Sequence, residues 1–511
     1  MLISDQLLLN YKRCNRRTFL EIHGLPQHKE PDKDFLLKLK RENKAHIRKV
    51  ISARSLSCAR PQASRRDRQL NTAQTIELMQ QGVSCIVRGT LSLAFSQWQK
   101  ALGDELFLAP IKDSHYKVLS ETIFTAAPSL LIRQTGKSRF GDWEYIPINI
   151  KFGRKLKPEY KLIAAFHARL LGIIQEATPT RSQIILKEHD EHCINLDRWL
   201  TKMQQIVAEC LTMLTNHQEP EVFISRQRCS LCNWYGYCHE IAQSTRHLSL
   251  IPGVTPKRYE YLQKLGIDSV ESLMTCPEVE LCETLGYGIA RQLKQQITAI
   301  ERNRPLVRHS FDLANTQPIP SDEIELYFDI EAEPERQTDY LLGVLLVDRA
   351  NNTEQFHAFL AEKLEDEGKI WQEFLDFVTL YPDAPIFHYS EYEADTIKRL
   401  ARLYGTPKEQ KKEVLSRLVD LHHWVTQAVI FPVESYSLKA IANWIGFYWR
   451  ETTGSGDQSV CWYDRWLNTQ DRTVLELILS YNEDDCRATR QLKDWLLNFL
   501  EEQSKQLKFT K

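Results

Sequence analysis

The residues whose types and spacing best suit chemistry are two pairs near the C-terminal end of the sequence. Asp329 and Glu331 belong to LYFDIE, a short apolar segment that predicts a buried strand. Because side chains alternate along a strand, both carboxylates point to the same side of it. Tyr481 and Asp485 lie four residues apart in a segment with helical periodicity, so they share one helix face.

Carboxylates that converge from a strand and a helix repel one another unless cations lie between them. Phosphodiester hydrolysis with two Mg²⁺ or Mn²⁺ ions, about 3.5 to 4 Å apart, has this requirement. The competing hypothesis makes the first pair an ordinary strand end and the second a solvated helix face. The order, spacing and context of the two motifs together favour the metal site.

The two motifs, Asp-x-Glu and Tyr-x-x-x-Asp, resemble those of the DEDDy branch of the RNase H-like 3'-to-5' exonucleases. In HYSEYEADTIKRL, Glu393 stands where that family would show an aspartate. The stretches VDLHHW and SLKAIANWIGF also resemble those that precede the last motif in this fold. The resemblance implies that Asp329, Glu331, Glu393 and Asp485 bind Mg²⁺ or Mn²⁺, and that Tyr481 orients the attacking water.

Length and composition predict an α/β multidomain protein. A chain of 511 residues is too long to fold around a single hydrophobic core. Its content of 42% hydrophobic and 26% charged residues is ordinary for globular domains. The net charge of -1 means that nucleic-acid binding must depend on local patches. The N-terminal residues show no basic stretch followed by an apolar segment, and no apolar run approaches about 18 residues. We therefore expect a cytoplasmic protein without membrane contact.

The N-terminal half predicts a helix from Ser4 to Gly24, three strand-like segments and a further helix, YKLIAAFHARLLGII. This succession resembles the RecB-like core of the PD-(D/E)XK nucleases. The resemblance places Ser129 and Asn149 where that family has acidic ligands, and Lys151 where it has its lysine. Neutral side chains supply no anionic oxygen for Mg²⁺, which predicts a degenerate active site unless Asp142, Glu144 or Glu159 substitutes.

Twelve cysteines in a cytoplasmic chain favour thiols or metal ligands over disulfides. Cys229, Cys232 and Cys238 have the spacing C-x2-C-x5-C, and Cys14 is far upstream. This arrangement resembles the iron-sulfur staple of RecB-like nucleases such as AddB, and it implies a [4Fe-4S] cluster. A structural Zn²⁺ on the same cysteines, or with His239, is the alternative. Cysteines without ligand spacing, including Cys58 and Cys85, are expected to be small core residues.

The segment 247–304 contains short helices broken by glycine turns and resembles a pair of helix-hairpin-helix units. Gly253 would form the first hairpin, and Gly286 and Gly288 the second. Backbone amides in such units hold a DNA phosphate without reading sequence. The cationic residues expected to add phosphate contacts are Lys257, Arg258, Arg291 and Lys294, with Lys151 of the N-terminal domain. A purely structural helical spacer is the alternative.

Together these segments resemble a bacterial family of RecB-like nucleases with a helix-hairpin-helix linker and a C-terminal YprB-type RNase H-like domain. The expected divisions are 1–243, 247–304, a linker at 305–322, and 323–505. The resemblance implies a 3'-5' exonuclease acting on DNA, or on RNA, in repair or recombination. Two alternatives remain: a catalytically decayed nucleic-acid-binding scaffold, and cleavage by the N-terminal domain through Glu144 and Lys151.

Overall fold

The computed structural model describes residues 1–54, 57–102 and 113–509, and these divide into two compact units, Met1–Ile241 and Ala242–Lys511. The strands of unit 1 are β1 Leu2–Ser4, β2 Cys58–Ala59, β3 Cys85–Val87, β4 Leu91–Ala94, β5 Ile123–Ala126, β6 Leu130–Ser138, β7 Gly141–Ile150, β8 Ser182–Ile185 and β9 Glu191–Ile194. Its helices are α1 Asp5–Arg13, α2 Asn15–His23, α3 Asp34–Ala53, α4 Arg68–Gln80, α5 Phe95–Leu102, α6 Asp113–Ser120, α7 Pro158–Gln175, α8 Leu196–Thr215, α9 Arg226–Cys229 and α10 Tyr235–Ser244.

The described residues of unit 1 form two sheets. The larger has the strand order β2-β3-β6-β7-β8-β9, and the smaller has the order β1-β5-β4. β6 and β7 form an antiparallel pair, and α7 then leads to β8, which runs parallel to β7. Buried aliphatic residues of α7, from Leu162 to Ile174, join the main hydrophobic cluster of the unit. β7 is therefore an inner strand of a well-packed sheet, and the chain leads from its end into α7.

The first predicted helix is wrong in one respect, because the structure divides it into α1 and α2. Cys14 has an extended backbone, with φ -159° and ψ 109°, and its sulfur accepts a hydrogen bond from Arg17 N. A residue at a helix N-cap has non-helical dihedrals and offers a side-chain acceptor to the first turn. Cys14 therefore begins α2 instead of lying inside a helix.

The prediction that Cys58 and Cys85 are unpaired core thiols is also wrong. The two residues face each other on the parallel strands β2 and β3, and their sulfur atoms form a disulfide. Their Cα atoms are 4.5 Å apart, within the range that a disulfide spans. Sequence spacing alone, at a separation of 27 residues, gave no sign of this pairing.

The strands of unit 2 are β10 Leu306–Val307, β11 Ile324–Glu333, β12 Thr338–Asp348, β13 Thr353–Leu360, β14 Ile386–His388, β15 Leu418–Asp420 and β16 Val429–Ile430. Its helices are α11 Pro256–Lys264, α12 Val270–Thr275, α13 Glu278–Leu285, α14 Tyr287–Arg302, α15 Glu367–Thr379, α16 Glu391–Leu403, α17 Lys408–Ser416, α18 Leu421–Ala428, α19 Leu438–Trp444, α20 Gly456–Thr469 and α21 Arg472–Phe509. In the described residues, no helix is both long and apolar enough to cross a membrane.

A five-stranded sheet with the order β13-β12-β11-β14-β15 forms the centre of unit 2. β11, β12 and β13 are antiparallel neighbours, whereas β14 runs parallel to β11 and β15 parallel to β14. Two large hydrophobic clusters include opposite faces of β11, with Phe328 in one and Tyr327 in the other. The strand that carries Asp329 and Glu331 is thus central and covered on both sides.

The segment 305–322, expected to be a linker, contributes to the packing of unit 2. Its strand β10 pairs antiparallel with β16, with Leu306 opposite Ile430. From the preceding α14, Gln296 donates a hydrogen bond to Phe431 O at 2.7 Å and accepts one from the Tyr436 hydroxyl at 2.9 Å. The helical segment α11–α14 is therefore attached to the five-stranded part of the unit through buried polar contacts.

Candidate metal centre

Three carboxylates meet where β11 passes α21. Asp329 and Glu331 point to the same side of β11, and Asp485 lies on the face of α21 that packs against this strand. One carboxylate oxygen from each of the three residues lies within 4.8 Å of the others. The structure therefore brings together the two motifs that lie about 150 residues apart in the sequence.

Hydrogen bonds fix the orientation of each carboxylate. Asn482 Nδ2 donates to Asp329 Oδ2 at 2.7 Å, and Trp449 Nε1 donates to Asp485 Oδ1 at 2.9 Å. The hydroxyl of Tyr481 also hydrogen-bonds to Asp485. Glu331 accepts hydrogen bonds from the hydroxyl groups of Ser459 and Tyr340.

Ser459 and Tyr340 supply those hydroxyl groups, and their own oxygens are 2.6 Å apart. Both residues are fully buried, as is most of the Glu331 side chain. These hydrogen bonds restrict the orientation of the Glu331 carboxylate. A ligand carboxylate supported in this way needs little reorganisation when it binds an ion.

Burial and mutual repulsion together make the ionised state of this cluster costly. Burial is the main cause that raises the pKa of Asp329, and the neighbouring charges of Asp485, Glu331 and Glu393 add to it. The pKa of Glu331 is raised for the same reasons. Burial raises the pKa of Asp485 to about 7, although Trp449 and Tyr481 donate to it. Three acidic groups held this close favour a bound cation.

The donor set fits a hard divalent ion. Mg²⁺ and Mn²⁺ prefer carboxylate oxygens, and the three ligand residues offer only such oxygens. Asp329, Glu331 and Asp485 are the residues that would hold the ion. The other groups around them, an amide, an indole and hydroxyls, are placed to orient the carboxylates.

The predicted middle ligand, Glu393, lies close to this group but outside the trio. It is buried in the first turn of α16, and its charge raises the pKa of Asp329. Its Oε2 accepts a hydrogen bond from Ser390 Oγ at 3.0 Å and lies 3.4 Å from His388 Nδ1. Ser390 caps the helix with a φ of 140°, a strained value for a residue with a side chain. Glu393 is thus held near Asp329 by the turn between β14 and α16.

A short segment before α20 covers Tyr481. A Cβ atom on Gly454 would be 2.6 Å from Tyr481 Cδ2, so only glycine allows this approach. Lys439 Nζ donates to Gly454 O at 2.7 Å and lies 5.5 Å from the centre of the Trp449 ring. Its positive charge also lowers the pKa of Asp485. Lys439 therefore connects the covering segment to the carboxylate site.

Sequence analysis did not identify several residues of this site: Tyr340, Lys439, Trp449, Ser459 and Asn482. Asn482 carries one signal, since it follows Tyr481 directly within YNEDD. Trp449 has two roles in the structure. It is 5% exposed, which agrees with packing, and it also donates a hydrogen bond to a candidate ligand.

The N-terminal residues compared with the RecB-like site do not form an acidic cluster. Ser129 Oγ accepts a hydrogen bond from Ile150 N at 2.9 Å, and Asn149 is buried. Glu144 lies within β7, where Gln134 and Thr180 hydrogen-bond to its carboxylate. Seven residues of extended chain, about 23 Å, separate it from Lys151. The structure therefore does not bring Glu144 and Lys151 together.

The carboxylate that faces Lys151 belongs to Asp5, which sequence analysis missed. Asp5 Oδ2 lies 3.0 Å from His167 Nε2 and accepts a hydrogen bond from Ala127 N at 3.1 Å. Although burial opposes ionisation, His167 and these other donors lower the pKa of Asp5 to about 2. The carboxylate of Asp5 is therefore ionised, and its negative charge compensates the positive charge of Lys151.

In the segment 247–304, Gly253 lies at the expected turn, whereas the predicted phosphate-binding cations lie in α11 and α14, where most of them have partners. Arg258 Nη1 donates to Gly253 O at 2.7 Å, where Gly253 has a φ of 97°. Arg291 Nε lies 2.8 Å from a carboxylate oxygen of Glu278. Lys257 is exposed, and its Nζ lies 5.9 Å from the Tyr261 ring.

Two details of the second turn differ from expectation. Gly286 has a φ of 84° and forms the turn, whereas Gly288 lies in the first turn of α14. Lys294 Nζ donates to Leu273 O, Met274 O and Cys276 O, at 2.5 to 2.8 Å. Lysine side chains often satisfy the last carbonyls of a helix in this way. Lys294 therefore stabilises the end of α12.

The structure brings the four predicted cysteine ligands into one neighbourhood. Cys14, Cys232 and Cys238 interact electrostatically with one another, as do Cys14, Cys229 and Cys232. Burial raises the pKa of Cys238 to about 11, although a hydrogen bond from Arg16 lowers it in part. Among the described residues, their sulfur atoms do not form a group as close as the carboxylate trio. His239 lies on the same helix as Cys238.

Comparison with known protein families agrees with the C-terminal geometry. A family model described as the RNase H superfamily matches residues 326–497, from β11 into α21. No curated protein matches the chain. The chain is a mixed α/β protein with an RNase H-like domain at its C-terminal end, which confirms that part of the sequence prediction. RNase H-like nucleases generally use divalent metal ions such as Mg²⁺, and their substrates are nucleic acids.

Proposed function

We propose that the RNase H-like domain is a metal-dependent nuclease that removes nucleotides from the 3' end of a nucleic acid. The observation that carries this proposal is the trio Asp329, Glu331 and Asp485, whose ligand oxygens lie within 4.8 Å of one another on a core strand and a facing helix. The superfamily match at residues 326–497 supports the substrate class. The 3' direction is supported by Tyr481, which stands four residues before Asp485 as in DEDDy exonucleases.

Each residue of the site has a separate task in this proposal. Asp329, Glu331 and Asp485 would hold Mg²⁺ or Mn²⁺, with Glu393 near enough to assist on the Asp329 side. When bound, the divalent ions supply an acidified water and stabilise negative charge on the leaving oxygen. Asn482 and Trp449 keep their carboxylate partners oriented. The Tyr481 hydroxyl, next to Asp485, would position the attacking water.

The test is a cleavage assay on end-labelled single-stranded DNA, single-stranded RNA and duplex DNA with Mn²⁺ or Mg²⁺. Wild type is compared with Asp329→Asn, which keeps the shape of the side chain, and with Lys151→Ala. We expect a ladder that shortens from the 3' end and disappears in Asp329→Asn alone. Loss of cleavage in Lys151→Ala alone would place hydrolysis in unit 1. Absence of cleavage by wild type on every substrate would contradict the proposal and favour a nucleic-acid-binding scaffold.

For unit 1 we propose a RecB-like fold that contributes binding instead of cleavage. The antiparallel pair β6–β7, the helix α7 and the parallel strand β8 follow in the order that this core requires. Neutral Ser129 and Asn149 occupy the positions of its acidic ligands. We also propose that Cys14, Cys229, Cys232 and Cys238 hold a metal centre, a [4Fe-4S] cluster or Zn²⁺, which would connect the two ends of unit 1.

A further inference from the structure

Unit 1 has a surface on which lysines and aromatic rings alternate, and this surface is separate from the carboxylate trio. Three half-buried rings form its base: Phe152 after β7, Tyr160 at the start of α7, and Trp199 in α8. We call this surface the lysine–aromatic face. Five lysine ammonium groups lie 4.5 to 6.0 Å from the ring centres: Lys151 and Lys157 over Tyr160, Lys161 and Lys202 over Trp199, and Lys187 over Phe152.

The three segments that carry these residues form one continuous surface. Lys151 N donates to Ile185 O at 2.8 Å, and Lys187 N donates to Gly153 O at 3.2 Å, so the loop after β7 is bound to the loop after β8. Tyr160 and Trp199 pack on the same small hydrophobic cluster. The rings are thus fixed by the core. Of the five lysines around them, Lys157 and Lys202 are exposed, and Lys151, Lys161 and Lys187 are half-buried.

One of the three segments that form this surface is much more cationic than the whole chain. Between Lys151 and Lys161 the sequence has five cationic residues and one acidic residue, whereas the protein as a whole has a net charge of -1. The acid, Glu159, lies 3.5 Å from Arg13. Lys155, Lys157 and Lys202 are exposed. A local excess of this kind attracts a polyanion, irrespective of the net charge of the protein.

We propose that the lysine–aromatic face binds single-stranded nucleic acid. Lysines contact phosphates without sequence preference, and fixed aromatic rings stack with unpaired bases, which a duplex does not expose. On this face, lysines and aromatic rings lie within a few residues of each other. The inference depends on the proposed function in one respect, that the substrate is a nucleic acid. It adds a second binding surface, in unit 1, that the cleavage proposal does not require.

Binding is measured by fluorescence anisotropy of labelled oligonucleotides with full-length protein carrying Asp329→Asn, in EDTA, so that hydrolysis plays no part. The test variant combines Lys155→Ala, Lys157→Ala and Lys202→Ala. We expect at least a tenfold loss of affinity for single strands at low salt. The slope of log affinity against log salt concentration should fall by about 2, since each single-strand phosphate contact contributes about 0.7.

The matched control removes three lysines of α17 in unit 2, Lys408, Lys411 and Lys412, by alanine substitution. It makes the same change in net charge and should leave affinity unchanged. A separate variant, Tyr160→Leu, keeps an apolar side chain on the core but removes the ring. Stacking contributes about 1 to 3 kcal/mol per base, so this variant should weaken binding about fivefold or more, with unchanged thermal unfolding.

Each outcome decides between the proposals. The lysine–aromatic face is overturned as a single-strand site if the test variant loses no affinity, or if the control variant loses as much affinity as the test variant. Tighter binding of duplex than of single strands would also overturn it. Cleavage by the wild-type protein, measured separately with Mn²⁺ or Mg²⁺, would still support the nuclease proposal in those cases. Conversely, a selective loss of binding in the test variant, together with no cleavage by wild type on any substrate, would support this surface and reject the nuclease proposal.

Discussion

Tyr481 is the residue whose role the hydrogen bonds of the site define most narrowly. Its hydroxyl bonds to Asp485, and its ring packs edge-to-face with Trp462 beneath the segment at Gly454. The hydroxyl can therefore be removed while the ring keeps its packing. Its contribution to hydrolysis is separable from its contribution to the fold.

We predict that Tyr481→Phe lowers kcat for 3'-end hydrolysis about a hundredfold, the lower range for a positioned acid-base group. Affinity for Mn²⁺ should change little, because Tyr481 is not among the three candidate ligands. Single-turnover cleavage kinetics measure the effect. Tyr404→Phe is the control, since it removes a hydroxyl that donates to Glu367 outside the site. Equal kinetics in the two variants would show that the Tyr481 hydroxyl has no role.

Sequence predicted the principal residues of the site because their signals are local. Alternation along a strand places Asp329 beside Glu331, and helical periodicity places Tyr481 beside Asp485. Trp449 and Lys439 have no local signal, because their relation to Asp485 depends on how α19 and the following loop pack on α21. Asp5 was missed for the same reason, since its partner His167 is 162 residues away.

The helix α21 is attached to β11 by a buried ion pair as well as by the candidate metal site. Lys493 and Glu325 are both almost fully buried, and Lys493 Nζ donates to Glu325 and, at 3.2 Å, to Ser321 Oγ. Arg349 Nε also donates to Glu325 at 2.7 Å. This network lies two helical turns after Asp485, so it fixes the angle at which α21 presents that ligand.

We predict that Lys493→Met lowers the free energy of unfolding of unit 2 by about 3 kcal/mol, because it leaves Glu325 with incomplete compensation. Arg349 still donates to Glu325, which keeps the loss at the low end of the range for buried pairs. Lys505→Met on the same helix is the control. Its pair with Glu501 is 69% and 67% exposed, and its loss should cost less than about 1 kcal/mol. Urea unfolding that gives the same stability for both variants would contradict this account.

At the scale of elements, periodicity predicted the long strands and helices but missed short or interrupted ones. The break at Cys14 depends on a thiol that caps α2, and cysteine is not a usual N-cap residue. The strand β10 has two residues and exists because β16 pairs with it. The strand β10 depends on a partner far away in the sequence, so local pattern predicted a linker there. Local pattern likewise predicted one continuous helix across Cys14.

At the scale of the molecule, each large hydrophobic cluster is made from residues of one unit. Composition and length predicted several domains, and the superfamily match confirms the nature of the C-terminal one. The boundary at Ile241 and Ala242 places α11–α14 with the C-terminal domain. Sequence pattern could not predict this association, because it depends on buried contacts such as that of Gln296 with Phe431.

We predict that Cys14→Ala lowers the metal content of protein purified without oxygen, because it removes one of the four grouped thiols. Cys193→Ala is the control, since Cys193 is exposed and outside that group. Elemental analysis and visible absorption separate the alternatives. Bound iron together with visible absorption indicates an iron-sulfur cluster, whereas bound zinc without visible absorption indicates a structural Zn²⁺ ion. Wild-type protein that contains neither metal would contradict a metal centre at these cysteines.

Calorimetric titration with Mn²⁺ measures whether Asp329, Glu331 and Asp485 form a divalent-cation site. Wild type and Asp485→Asn are compared in the absence of nucleic acid, after removal of bound metal. We predict saturable Mn²⁺ binding by wild type and loss of this binding in Asp485→Asn. Binding should release protons, because burial raises the pKa of Asp485 to about 7. Identical titrations for the two proteins would contradict this prediction.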